Sequence, residues 1–277
     1  MSVPSLAAAR STPIAVTIAG SDSGGGAGIQ ADIKTFSALG VYGASVITAL
    51  TAQNTQGVFG IHDVPAEFVV AQIDAVYSDL DIDATKIGML SRLETIIAVA
   101  ERLRHWQVRS IVLDPLMIAT SGTRLLALDA VEALKGLVFP LAAIVTPNLQ
   151  EAAALLNESI AQDETAMARQ AEQLMRLGAR AVLVKGGHGE GSESVDILAD
   201  GAGITRFAAP RLATPNTHGT GCTLSSAIAA GLARGVDLLD AVAAAKAYLT
   251  EALAAADRLK VGRGTGPLHH FYAKGRG

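Results

Sequence analysis

Cysteine is nearly absent: the 277-residue chain has one, Cys222. A single thiol excludes an internal disulfide and a cysteine-based zinc site, and it suits a reducing compartment, so a cytoplasmic location is expected. Aromatic residues make up 4% of the chain, too few for a groove that stacks bases. There is no surplus of positive charge. Lys and Arg number 22 against 26 Asp and Glu, a net charge of −4, so no basic field attracts nucleic acid. No apolar run is long enough to span a bilayer. The opening stretch MSVPSLAAARSTP lacks a basic n-region and an apolar h-region, and residues 1–12 read as a flexible tail rather than a signal peptide. The six histidines show no metal-ligand spacing. A G-x-x-x-x-G-K-[ST] phosphate loop is missing as well.

Half of the residues are hydrophobic, which is enough for a sizeable core. The length sits at the upper end of one α/β domain, and no linker or composition break divides residues 1–277, so a single domain is expected. Apolar runs bounded by turn residues alternate with helical patterns. PIAVTIAG (13–20), SVITAL (45–50), TKIGM, SIVLDP, AAIVTPN and AVLVKGG read as buried strands. Between them, Ile29, Ile33, Phe36 and Leu39 share one helical face, and Gly40 supplies a stop. Pro65 opens a helix with Phe68, Val69, Ile73 and Val76 inward. Ser91 and Glu94 have capping-box spacing before a helix with Leu93, Ile96, Ile97, Ala100 and Leu103 inward. Further helices are expected at about 127–138, 149–156 and 164–177, a hairpin from SVDILA and GITRFAA, and two Ala-rich helices at about 221–233 and 237–258. Continuous apolar strands alternating with helices predict an α/β fold of three layers, a mostly parallel sheet covered on both faces.

Chemistry-bearing residues follow directly after the strand runs: Gly20, then Gln53 and Asn54, then Gly88 and Met89, then Asp114, Asn148 and Lys185. Ligands of an open parallel sheet bind outside the carboxyl ends of its strands. Two glycine-rich loops also precede helices. The first, GSDSGGGAGIQAD (20–32), contains a loose G-x-G-x-x-A at Gly26, Gly28 and Ala31. No Asp or Glu lies between Asp32 and Asp63, so the ribose-binding acid of a dinucleotide site is missing. This loop is either a tight turn or a place where backbone approaches a small ligand. The second, HGTGC (218–222), puts Gly219, Thr220 and Gly221 at the mouth of a helix. Unpaired amides and the positive end of the helix dipole make such a mouth an anion site. The same position predicts a Cys222 thiol shifted below its ordinary pKa, beside a phosphoryl group and ready to take a proton.

Together these stretches resemble the ribokinase-like family of small-molecule kinases, and within it the bacterial hydroxymethylpyrimidine/phosphomethylpyrimidine kinases of thiamine synthesis. The resemblance is carried by TIAGSDSGGGAGIQADIKTFSALGVYGASVITALTAQNTQGV, DATKIGML, VLDPLM, TPNLQEAAALL, VLVKGGH, NTHGTGCTLSSAIAAGL and VGRGTGPLHHF, across roughly residues 14–271. The first loop departs from it with Ser23-Gly24 where the family usually has Pro-Ser, and Gln150 stands where Pro is common. The resemblance implies a ribokinase-like fold, ATP and Mg²⁺, and a homodimer. It implies that Gly219–Gly221 hold the transferring phosphate, that Cys222 stands where many sugar kinases have an Asp base, and that Lys185 approaches the nucleotide phosphates. It places Gln53 against the pyrimidine with Gly20, Asp32 and Met89 nearby, and Glu151 and Asp114 at the metal or its waters.

Residue chemistry is compatible with these roles and with plainer ones. A carboxamide at Gln53 offers the donor and acceptor that an aminopyrimidine complements, or it bonds loop backbone. Met89 is a soft ring contact or a core residue. Asp32 favours a helix dipole without any ligand. Glu151, three residues after Asn148, is spaced as a capping-box acid, and Asp114 before Pro115 can simply end a strand. Lys185 directly after a buried apolar run has few structural excuses. A pyridoxal kinase of the same fold, a non-catalytic nucleotide-binding regulator and, less well, a Rossmann-type oxidoreductase are the competing readings.

Overall fold

A computed structural model describes residues 12–117, 128–187 and 191–273. The expected tail at residues 1–12 lies outside them except for Thr12. The described chain runs β1 (Ile14–Asp22), α1 (Gly28–Ala38), β2 (Tyr42–Asn54), β3 (Gly57–Asp63), α2 (Ala66–Tyr77), β4 (Ala84–Ile87), α3 (Leu93–His105), β5 (Ile111–Leu113), α4 (Leu128–Ala133), β6 (Ile144–Val145), α5 (Leu149–Leu156), α6 (Glu164–Met175), β7 (Val182–Lys185), β8 (Glu193–Asp200), β9 (Gly203–Pro210), α7 (Thr220–Ala233) and α8 (Leu238–Ala254). Past α4 the chain winds through a π-helical stretch, Leu134–Val138, and a 3-10 turn, Phe139–Leu141.

The strands form one nine-stranded sheet in the order β3-β2-β1-β4-β5-β6-β7-β8-β9. Strands β2, β1, β4, β5, β6 and β7 are mutually parallel. Antiparallel strands close both edges, β3 on β2 and the β8–β9 hairpin on β7. Strand alternation divides the core. On β1, Val16 and Ile18 face the layer of α2 to α6, and Ala15 faces the layer of α1, α7 and α8. On β5 and β7, Val112 and Leu183 turn to that second layer while their neighbours turn to the first. This three-layer arrangement is the one predicted.

The chain leaves β1 for β2 on one side and returns to β4 on the other. The crevice at such a reversal, over the carboxyl ends of β1 and β4, is where an open α/β sheet binds its ligand.

Local expectations met mixed outcomes. Gly40 ends α1 at φ +76°, with Val41 N–H bonded back to Phe36 O at 2.9 Å, the left-handed stop expected of it. Asn148 and Glu151 form a true capping box at the start of α5. Ser91 and Glu94 do not: α3 starts after Arg92 without a side-chain cap, and Ser91 Oγ donates to Asp63 instead. Phe68 is 60% exposed rather than inward, and on α3 Val99 takes the buried place expected for Ile97. β3 was not foreseen, because as an edge strand it is mostly exposed and carries no apolar alternation.

Candidate active site

Start with the first glycine loop. Asp22, the last residue of β1, turns its carboxylate into the loop that follows. Gly24 N–H donates to Oδ1 at 2.8 Å, and Gly26 and Ala27 N–H donate to Oδ2 at 3.0 and 2.8 Å. The His218 ring reaches the same Oδ2 at 2.9 Å. Burial pushes the Asp22 pKa up, but the His218 hydrogen bond and the Ala27 and Gly24 amides outweigh it, and the net direction is down. The amides at the mouth of α1 therefore hold an internal anion, and the loop is not a phosphate site. It is a turn that needs glycine. At Gly28, with φ +55°, a Cβ would stand 2.4 Å from Gly20 O.

The second loop lacks such an occupant. Gly219 caps α7 at φ +85° with no side-chain cap. A Cβ there would lie 2.0 Å from Gly26 O, so only glycine lets the two loops touch. Thr220 departs from its expected role. Its hydroxyl donates to Thr217 O at 2.6 Å and its amide to the same oxygen at 3.3 Å. Among the donors left to an anion are the first-turn amides of Gly221 and Cys222, which have no intrahelical acceptor.

Beside this mouth lies a charged cluster. Lys185 ends β7, and its Nζ donates to Asp114 Oδ1 at 2.7 Å. A Cβ at Gly221 would stand 3.2 Å from Lys185 Nζ and 3.6 Å from Asp114 Oδ2. Glycine at 221 therefore lets the lysine reach the helix mouth. Glu151 caps α5 through Asn148 N–H at 2.8 Å and is almost fully buried. Burial raises its pKa, Lys185 pulls it down and Asp114 pushes it up, leaving a net rise. Lys185 remains a firm cation: burial works against its charge, and Asp114 and Glu151 more than offset that. Among the described residues no group of three or more His, Cys, Asp or Glu could hold a metal alone. A nucleotide-bound Mg²⁺ needs only one or two carboxylates, with phosphate oxygens and water completing its shell. Asp114 and Glu151, both in the field of Lys185, fit that requirement.

On the other side of the crevice a Cβ at Gly20 would meet Met89 Cε at 2.7 Å. Met89, Ala49 and the partly buried Leu116 form a small apolar cluster separate from the two main cores. Gln53 lies at the end of β2, its carboxamide nitrogen 3.2 Å from His218 Nε2. Gly20, Met89 and Gln53 are thus gathered at the β1–β4 reversal, next to the loop that carries Gly219 and Gly221.

Two expectations are corrected. Asp32 does not face the crevice. It is 0% exposed, accepts hydrogen bonds from Thr17 Oγ1 and Ser226 Oγ at 2.6 Å each, and pairs with Lys86 at 2.9 Å. Its oxygens are spent on the protein, and removing one partner would strand a buried charge at a cost of about 3–5 kcal/mol. The thiol of Cys222 is also shifted the wrong way. It is 6% exposed, and burial lifts its pKa to about 11. Lys86 and the Gly28 amide pull it down, while Asp32 and Asp114 push it further up. Desolvation outweighs the helix dipole.

Sequence reasoning missed Asp22, His218 and Lys86. Lys86 sits inside the apolar run TKI, fully buried, which was a readable signal of an internal partner. Asp22 and His218 are 196 residues apart, and nothing local marks them.

These strand ends can grip a phosphoryl group and a small ring side by side, the requirement of a small-molecule kinase. The fold agrees with that class. A crystal structure of Bacillus subtilis pyridoxal kinase in an ADP complex matches this ribokinase-like chain with a TM-score of 0.89, at 33% identity, over 96% of this chain and 100% of that one. The phosphomethylpyrimidine kinase of Clostridium difficile matches with a TM-score of 0.77 at 45% identity, over 86% and 98%. The family model for phosphomethylpyrimidine kinase covers residues 22–269, and the chain belongs to that family. The hydroxymethylpyrimidine/phosphomethylpyrimidine kinase of Rhizobium meliloti is 64% identical over 261 residues, 94% of this chain and 98% of the relative.

Proposed function

We propose that the chain uses ATP to phosphorylate 4-amino-5-hydroxymethyl-2-methylpyrimidine, and then phosphorylates the monophosphate to the diphosphate, for thiamine synthesis. One observation carries this reading: the Gln53 carboxamide, suited to an aminopyrimidine edge, lies 3.2 Å from the histidine that leads directly into the Gly219–Cys222 anion mouth. A ring held at Gln53, over Gly20 and Met89, presents its substituent to that mouth.

Phosphoryl transfer asks the protein mainly for position and charge stabilisation. In the first step the hydroxymethyl oxygen bonds to the γ-phosphorus, the bond from that phosphorus to the bridging oxygen breaks, and ADP leaves with the bridging electron pair. Amides of Gly221 and Cys222 and the Lys185 ammonium offset charge on the moving group. Cys222 stands as acceptor for the alcohol proton. Its protonated resting state means that only about one thiol in ten thousand is ionised at pH 7, so proton removal is the weak element of this step. In the second step the nucleophile is already an anion and needs only charge neutralisation. Asp114 and Glu151 would hold a nucleotide-bound Mg²⁺, which would supply further neutralisation.

The test is ATP turnover with the aminopyrimidine alcohol, following mono- and diphosphate. Absence of both products sinks the reading. The high structural likeness to a pyridoxal kinase motivates a parallel assay on pyridoxal, with steady-state rates ranking the two substrates. We place the enzyme in the cytoplasm, in keeping with its lone thiol. We also propose a homodimer, to which the exposed apolar side chains of Phe59 and Ile61 on β3 and Phe68 on α2 are available. Light scattering on the purified protein decides that point.

A further inference from the structure

One imidazole nitrogen meets two side chains. His218 Nε2 is 2.9 Å from Asp22 Oδ2 and 3.2 Å from Gln53 Nε2. A carboxylate only accepts, so the nitrogen facing Asp22 carries a hydrogen. A protonated ring nitrogen has no lone pair to offer, so Gln53 cannot donate to it. The repulsion is removed when the Gln53 carboxamide turns its oxygen to the ring, and the one Nε2 hydrogen is then shared between Asp22 Oδ2 and the Gln53 oxygen. A second conflict disappears with that exchange. Thr51 Oγ1 lies 2.9 Å from Ser21 O and 3.0 Å from the remaining carboxamide atom of Gln53, and it has one hydrogen to give. With the Gln53 amide there, Gln53 donates to Thr51 and Thr51 donates to Ser21. Every hydrogen then has an acceptor, and side-chain amide orientation is settled by this kind of accounting.

His218 cannot follow a rotating amide. Its ring partner Asp22 is anchored by three loop amides. Its own N–H is bonded to Gly266 O at 3.1 Å, and a Cβ at Gly26 would lie 2.4 Å from its Cδ2, so the ring is packed on that side.

We infer that His218 is a positioning residue that fixes which way round Gln53 presents its free N–H and its free lone pair, and so sets the choice between amino and oxo heterocycles. The inference rests on Gln53 as the reader of the ring. An aminopyrimidine shows an amine donor beside a ring-nitrogen acceptor. The analogue with an oxo group in place of that amine shows the reverse order, a carbonyl acceptor beside a ring N–H donor. A pinned carboxamide matches only one of them, whereas a free one rotates and reads either.

The test compares kcat/KM for the amino and oxo alcohols in wild type, His218→Ala and His218→Gln. Wild type is expected to favour the amino alcohol by about 100-fold or more, as sites that leave polar groups unpaired do. His218→Ala is expected to lower that ratio by about tenfold, the worth of one hydrogen bond to a fixed partner. His218→Gln, whose amide nitrogen can donate to Asp22 in place of the ring, is expected to restore most of it. An unchanged ratio in His218→Ala, with both substrates losing rate equally, overturns the inference and leaves the ring a packing residue. If His218→Ala fails to fold, Thr51→Val removes the other anchor of the carboxamide. A ratio that falls there supports the inference, and an unchanged one overturns it. Wild type that phosphorylates neither alcohol instead defeats the proposed function, a separate outcome.

Discussion

The two glycine-rich loops have similar composition and stand before helices of the same layer, yet they do opposite work. In the first, Asp22 fills the amides of Gly24, Gly26 and Ala27. In the second, the mouth of α7 has no side-chain cap, and Lys185 approaches Gly221 from β7 together with its partner Asp114. A glycine run at a helix mouth is an anion site only when the protein does not supply its own anion. In the first loop one residue, Asp22 at the end of β1, supplies it.

The comparison can be broken most severely at the contact between the loops. Gly219→Ala forces a side chain into positive φ and onto Gly26 O, 2.0 Å from the new Cβ. Its kcat/KM should fall about 1,000-fold, the scale of losing preorganised donors, with thermal melting used to show that the protein remains folded. If activity persists, the mouth of α7 does not grip the phosphoryl group.

Next is Cys222→Ser. The first phosphorylation should slow by about 100-fold and the second by less than tenfold, since only the first nucleophile gives up an alcohol proton. Equal losses in separately assayed steps would remove the base role. The wild-type pH profile sharpens the same point. The thiolate fraction grows with pH below the raised pKa of about 11, so the first step should climb about tenfold per unit above pH 7 while the second stays flat.

Asp22→Ala empties the first loop. Unpaired amides should cost about 2–3 kcal/mol in urea unfolding. Sulfate should stabilise the variant more than wild type and so recover part of this, because the vacated loop adds an anion site to the one that both carry at the second loop. Identical sulfate responses would contradict the comparison.

An effect of similar size, confined to acid pH, concerns the support beneath the second loop, where His270 Nε2 meets Thr223 Oγ1 at 3.0 Å. Burial lowers the His270 pKa to about 4, with Lys34 and His269 adding to the shift. A histidine depressed from 6.5 in this way binds its proton more readily when unfolded. Its contribution to stability is full above pH 6.5 and is lost as pH falls toward 4, up to about 3 kcal/mol in all. His270→Gln should flatten that part of the acid unfolding curve.

Much of the fold was readable because buried parallel strands are continuous apolar runs and helices carry a 3.6-residue stripe. Gly40 and the Asn148–Glu151 box were readable because turn and cap chemistry is local. Ser91 failed because Asp63, on β3, competes for its hydroxyl, and β3 itself failed because an exposed edge has no pattern to show. The site divides in the same way. Lys185, Asp114, Gln53 and Gly20 were marked by their place at the ends of apolar runs, although β1 and β2 extend past Gly20 and Gln53. Asp32 was misassigned, since its partner Lys86 lies 54 residues away. Cys222 was placed rightly at the helix mouth, but its proton affinity depends on burial that no local rule reports.

By itself, then, the sequence determined the layered sheet, the strand-end position of the reactive residues and the left-handed turns only glycine can make, because these follow from short-range sterics and periodic burial. Tertiary structure alone decided which loop keeps its amides free, which carboxylate is spent inside, how tightly the thiol holds its proton and which ring pins the glutamine. Each of those depends on charges and donors brought together from distant parts of the chain in a medium of low polarity, where a partner a few ångströms away outweighs any local preference.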